Sequence, residues 1–157
     1  MTPYIRTNYY ASGVRGNARL FEFLLRDLDE NDARWDKKVD PARFTLREIV
    51  AHLVDYDTIC RERFERMIRE DNPFSPEWDE GKAAIHYGTR HPKHQLESLL
   101  LSRREFGDWL EGLSQEEWER RGTRLKIGEF SVEYGVSLML AHDAYHLIQI
   151  VAWLEAP

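Results

Sequence analysis

The chain has 157 residues, 42% hydrophobic and 12% aromatic, with a formal charge of −6 and one cysteine, Cys60. That length and apolar content exclude a disordered chain and suffice for a core without staples, so one domain spanning 1–157 is expected. The acidic balance argues against nucleic-acid binding, no apolar run reaches membrane-span length, and a lone cysteine permits no internal disulfide, which together point to a soluble cytoplasmic protein.

The first helix is expected within 8–28, where Tyr10, Val14, Phe21, Leu24 and Leu28 recur at helical spacing, with Gly13 and Gly16 blurring its start. "ARWDKKVDPAR" reads as a polar connection. "FTLREI" then opens a second helix: Thr45 and Glu48 form a capping box, and Phe44 and Ile49 occupy the positions of a hydrophobic staple. Ile49, Leu53, Tyr56, Cys60, Phe64 and Met67 trace its buried face to about Arg69. The segment "DNPFSPEWDEGKAAIHYGTRHP" breaks the pattern, and Ser75-Pro76 is expected to open a short helix inside it. A third helix should run from Pro92 to Glu111, with Leu96, Leu99, Phe106 and Leu110 inward. Ser114 and Glu117 repeat the capping pattern for a brief helix, "RGTRLKIGEF" is a loop or short hairpin, and Ser131 caps a last helix reaching Glu155. Four long helices with no α/β strand pattern predict an all-α four-helix bundle with short accessory helices in its connections.

The last helix poses a problem, because "AHDAYHLIQI" places two imidazoles in the most apolar part of the chain. His142 and His146 are four residues apart, about 40° in direction and about 6 Å along the axis, and so share a face. His52 lies beside Ile49, Leu53 and Tyr56 on the inward side of the second helix. Three imidazoles from two helices would suit one divalent ion with coordination positions left open, as catalytic sites have them. The competing reading is three core histidines, each hydrogen-bonded separately. Reading "HDAYH" as a zinc-protease H-E-x-x-H helix fares poorly: Asp143 is a methylene short of glutamate, and Glu155 is the one carboxylate downstream. His86, His91 and His94 sit in a polar stretch and read as surface residues.

The two segments "FTLREIVAHLVDYD" and "HDAYHLIQI", in this order, resemble the DinB/YfiT-like metalloprotein superfamily. The likeness extends over nearly the whole chain, including "LLLSRREF" and "LSQEEW". It implies an up-down-down-up bundle, a three-histidine metal site at His52, His142 and His146, and frequent homodimers. It also implies a thiol-dependent enzyme, an S-transferase or isomerase working with mycothiol, bacillithiol or glutathione on a small-molecule substrate. Zinc, nickel or ferrous iron would each suit three imidazoles. A bound ion would acidify a thiol for transfer or water for hydrolysis of an amide or ester. A metal-binding or dimerising module without turnover is the non-enzymatic alternative.

Tyr56, Tyr145 and Arg103 are the candidate catalytic or substrate-contacting residues, with Asp55 and Gln149 able to orient a ligand ring. Arg103 falls on the apolar stripe of the third helix, where it would clamp a substrate carboxylate or pair internally with Asp55 or Glu48. Asp143 points away from His142 and is expected to pair with a neighbouring helix. Cys60 reads as a small core residue rather than a nucleophile. If the protein is an enzyme, Trp78 and Tyr87 from the segment 71–91 should wall a cavity reaching the metal.

Overall fold

The computed structural model describes residues 2–157. Its helices are α1 (Pro3–Ile5), α2 (Ser12–Leu25), α3 (Leu46–Arg69), α4 (Glu80–Ala84), α5 (Pro92–Gly112), α6 (Gln115–Glu119) and α7 (Val132–Glu155). A π-helical turn at Arg6–Ala11 joins α1 to α2, and 3-10 turns occupy Ala33–Asp36 and Tyr87–Thr89. Strands β1 (Arg121–Arg124) and β2 (Gly128–Ser131) form an antiparallel hairpin, with Gly128 at φ +80° where a side chain would be strained. No described helix is long and apolar enough to cross a membrane.

Side-chain contacts fix the direction of each long helix. Asn17 meets Asp143 and Gly13 faces Leu140, so α2 and α7 run parallel. Asp57 meets Arg103 and Phe64 meets Phe106, so α3 and α5 are also parallel. Arg15 reaches Glu111 while Lys93 reaches the Leu25 carbonyl, which makes α2 and α5 antiparallel. Phe44 meets Trp153 at one end of α3 and Phe64 meets Gly135 toward the other, which makes α3 and α7 antiparallel. The result is the expected up-down-down-up four-helix bundle. A Cβ at position 135 would lie 2.4 Å from the Phe64 ring, so glycine sets how closely α7 approaches α3.

Local chemistry explains the helix starts. The Thr45–Glu48 and Ser114–Glu117 capping boxes both form, and the Ser131 hydroxyl accepts from the Tyr134 amide. Two expectations need correction. The first long helical run begins earlier, through α1 and the π-helical turn, and α2 ends at Leu25. Ser75-Pro76 opens no helix, because the Ser75 amide donates to the Thr123 carbonyl at 2.9 Å in a bridge to the hairpin. The short helix starts instead at Glu80, where the Asp79 side chain accepts from the Lys82 amide. The polar connection also hides a buried residue, since Trp35 is fully enclosed and its indole donates to the Asp29 carbonyl at 2.7 Å.

The core is split in two. One apolar cluster contains Val14, Phe64, Met67, Phe106, Trp118 and Met139; the other contains Phe21, Trp35, Ile49, Leu53, Leu99 and Trp153. Between them lies a polar layer centred on Arg103, whose side chain is fully buried. Its Nε donates to both Asp57 oxygens at 2.8 and 2.7 Å, and Nη1 and Nη2 grip Asp143 at 2.5 and 2.8 Å. Ser102 adds a bond to Asp57 at 3.3 Å and Asn17 one to Asp143 at 3.1 Å, so all four long helices contribute. Burial beside a second carboxylate pushes Asp57 up to about 6, while the two carboxylates hold Arg103 charged. The internal pairing of Arg103 was expected, but with Asp55 or Glu48; Asp55 is instead occupied by Arg90 at 2.6 and 3.0 Å.

Arg103→Leu would strand two buried carboxylates. It should cost about 3–5 kcal/mol, read as a lower urea midpoint at neutral pH. A loss below 1 kcal/mol, the range of exposed pairs, would show the network to be dispensable.

Candidate metal centre

His52 lies in the second turn of α3, and His142 and His146 lie one turn apart on α7. His52 and His146 are buried, and His142 is partly so. Their Nε2 atoms converge: His52 to His142 is 3.1 Å and His142 to His146 is 3.2 Å. Aromatic neighbours hold each ring. Trp78 stacks on His52 with centroids 5.4 Å apart, Tyr56 stacks on His142 at 4.0 Å, and Tyr145 meets His146 edge-on at 5.0 Å.

Hydrogen bonding sets one tautomer. Gln149 Nε2 donates to the Phe44 carbonyl at 3.3 Å, which turns its Oε1 toward His146 Nδ1 at 3.2 Å. His146 therefore carries its proton on Nδ1 and presents an Nε2 lone pair to the centre. Burial is the main cause that lowers all three pKa values, His52 to about 2 and His142 and His146 to about 4. The neighbouring imidazoles depress His52 further, and Arg103 depresses His142. All three are neutral at pH 7, the form a metal ligand requires.

The trio fits a metal ion better than it fits three separate core histidines. His146 offers only a lone pair there, so His142 Nε2 satisfies it only as an N–H donor, and that single proton cannot point at His52 Nε2 as well. Nitrogens each about 2.1 Å from one ion lie about 3.0 Å apart at a right angle and about 3.4 Å apart at the tetrahedral angle. The observed 3.1 and 3.2 Å fall in that interval. The Nδ1 atoms of His52 and His142 are buried without a hydrogen-bond partner among the described residues, and the nearest carboxylate to the first is Glu80, at 4.0 Å.

The three rings lie on the wall of an open cleft of about 430 Å³ shared with Arg43, Phe44, Glu80, Tyr145 and Gln149. Tyr145 is half exposed at the cleft, as a substrate-contacting residue would be. Tyr56 backs His142 rather than lining the cleft, and burial pushes the Cys60 thiol, one turn further along α3, up to about 12. Arg103 is withdrawn from substrate altogether, because its donors are bound in the polar layer. Trp78 and Tyr87 both contact the His52 ring, but the segment 71–91 reaches the cleft through Glu80. His91 is a surface residue that caps α5 through the His94 amide.

Sequence reasoning missed Arg43, Glu80 and Asp57. Asp57 was within reach, since it continues the inward stripe of Leu53, Cys60 and Phe64; nothing in the spacing of the other two marks them.

Residues 15–150 match the family model of the DinB superfamily. A protein of Oceanobacillus iheyensis named "Putative metal-dependent hydrolase" is 25% identical over 126 residues, covering 80% of this chain and 73% of that one. Among solved structures, YfiT from Bacillus subtilis superposes with a TM-score of 0.85 at 17% identity, over 94% of this chain and 85% of its own. It is described as a probable metal-dependent hydrolase with an unusual four-helix bundle topology, and at that identity the likeness establishes the fold.

Two measurements bear on the trio. His146→Ala or His142→Ala should abolish tight binding of one zinc ion per chain in a competition titration, whereas His91→Ala should leave it unchanged. Acid should unfold the metal-free protein, because the depressed imidazoles accept protons on unfolding. Their stabilisation is complete above the unfolded pKa of about 6.5 and is lost toward pH 4, at up to about 1.4 kcal/mol per pH unit per group. A flat stability profile between pH 7 and 4 would mean the rings are solvated.

Proposed function

Because the chain belongs to the DinB superfamily, we propose that it is a metal-dependent enzyme that uses water to cleave an amide or ester of a small molecule. The hydrolase names of the Oceanobacillus iheyensis and Bacillus subtilis proteins support this reading. His52, His142 and His146 would hold a divalent ion, zinc, nickel or ferrous iron, and such an ion supplies positive charge that acidifies a nucleophile and polarises a carbonyl.

Glu80 carries the choice of water. It is the one carboxylate among the described cleft residues, half exposed, and 4.0 Å from His52 Nδ1. Hydrolysis forms a bond from the water oxygen to the acyl carbon and breaks the bond to the leaving nitrogen or oxygen. A proton must pass from the water to that leaving atom, and Glu80, as the carboxylate lining the cleft, would accept and return it. A thiol ionises near pH 8.5 and needs no such base. Gln149 holds the His146 tautomer, and Tyr56 and Trp78 fix the other rings, so the ligand set needs little rearrangement. An open cleft favours turnover over a non-catalytic module, whose site would be shallow or plugged.

A homodimer belongs to the same reading, since Leu20 and Phe23 on α2 and Ile148 on α7 are large exposed apolar residues. Ile148→Glu should shift the sedimentation coefficient to that of a monomer; an unchanged value would place any interface elsewhere.

Metal-free protein reloaded with zinc, nickel or ferrous iron should cleave members of an ester and amide panel without added thiol. His146→Ala should abolish this cleavage, and Glu80→Gln should lower kcat by about 10²–10⁴-fold with metal still bound. Turnover that requires a low-molecular-weight thiol would replace this reading with S-transfer. Tight metal binding without any turnover would replace it with the binding module.

A further inference from the structure

We infer that Arg43 is an anion-binding subsite of the cleft, and that the substrate is a small amide or ester bearing a carboxylate. This inference rests on the hydrolytic reading for the bond cleaved, but not for the anion bound.

Arg43 lies in the connection before α3 and lines the cleft with the three imidazoles. Its neighbours in sequence and space are neutralised: Arg47 by Asp36 at 2.7 and 2.8 Å, and Arg90 by Asp55. Arg43 has no carboxylate partner among the described residues. Aromatic faces hold it instead, with the guanidinium carbon 5.2 Å from the Tyr145 ring centroid and 4.8 Å from that of Trp153. Its one hydrogen bond among the described residues runs from Nη2 to the Tyr145 hydroxyl, at 2.9 Å. That one bond leaves its other N–H donors without a hydrogen-bond partner among the described residues. A partly buried guanidinium so held presents the fork that a planar carboxylate accepts in bidentate fashion.

The cleft is also polarised. Arg43 stands on the His146 side, bonded to the Tyr145 that meets that imidazole edge-on, and Glu80 stands on the His52 side. A substrate anion therefore docks in one sense, its carboxylate toward Arg43 and its leaving atom toward Glu80, because the reverse sets carboxylate against carboxylate. One cation on the wall, facing a carboxylate, suits a singly charged planar group better than a phosphate dianion. A cleft of about 430 Å³ limits the ligand to a small molecule.

The experiment is a calorimetric titration of N-acetylglycine, hippurate and their neutral methylamides into zinc-loaded protein. At least one carboxylate should bind the native chain more tightly than its methylamide. Arg43→Gln should weaken that carboxylate roughly 10- to 100-fold and leave the methylamide unchanged, while Arg43→Lys recovers part of the loss. Zinc stoichiometry and circular dichroism should be the same for all three proteins. The subsite is overturned if no carboxylate outbinds its methylamide, or if Arg43→Gln leaves carboxylate affinity unchanged, as carboxylate ligation to zinc alone would. Arg43-dependent binding without cleavage of any amide or ester keeps the subsite and refutes the hydrolytic reading. Cleavage of carboxylate-bearing esters at a rate and affinity that Arg43→Gln leaves unchanged does the reverse.

Discussion

One guanidinium shared by two carboxylates in a dry interior sets the terms for the rest of this molecule. Arg103 takes Asp57 from α3 and Asp143 from α7, and Asn17 of α2 completes the shell around Asp143. Apolar packing tolerates small slips of one helix along another; a buried fork with hydrogen bonds of 2.5–2.8 Å does not. The network therefore acts as a register pin between the two apolar clusters. Whether such buried charge adds net stability over a hydrophobic replacement is a separate matter from the positional specificity it gives.

That register places the imidazole trio. Asp143 directly follows His142, so the carboxylate bound to Arg103 fixes the rotation of α7 and aims His142 and His146 at α3. On α3, Asp57 similarly fixes the turns on either side of it, including the one that carries His52. A second tie operates at the end of the bundle. The Phe44 carbonyl accepts from both Gln149 and Trp153, joining the start of α3 to the last turns of α7 and settling which nitrogen of His146 is free. The charge of Arg103 also helps keep His142 unprotonated, so one residue contributes to both the position and the ionisation of the site.

What was legible in the sequence is what local chemistry encodes. The Thr45–Glu48 cap, the four-residue spacing of His142 and His146, and the inward stripe carrying His52 each depend on residues within a turn or two, and each appears where the pattern puts it. The pairing of α3 with α5 and the choice of Asp57 over Asp55 depend on contacts across 40 residues or more, such as Asp57–Arg103. Spacing cannot rank two carboxylates on adjacent helix faces when each finds a different arginine. Arg43 and Glu80 come from connections, where no period links position to direction, so their meeting at the cleft is visible only in three dimensions. Ser75-Pro76 failed for a related reason: a distant strand took the amide that a local rule had assigned to a helix start.

The parallel run of α3 and α5 has a consequence for how such a protein diversifies. Two neighbouring helices pointing the same way require the chain between them to travel back along the bundle, and that return path carries Trp78 and Glu80 past the imidazoles. The three imidazoles sit on long packed helices, while two opposite parts of the cleft, Arg43 and Glu80, ride on the connections between those helices. Exposed positions in those connections change at little folding cost, whereas Trp35 and Tyr87, buried in the same connections, anchor them to the core. The flanks of the cleft and the imidazole trio are thereby free to change separately, carried on different stretches of one chain.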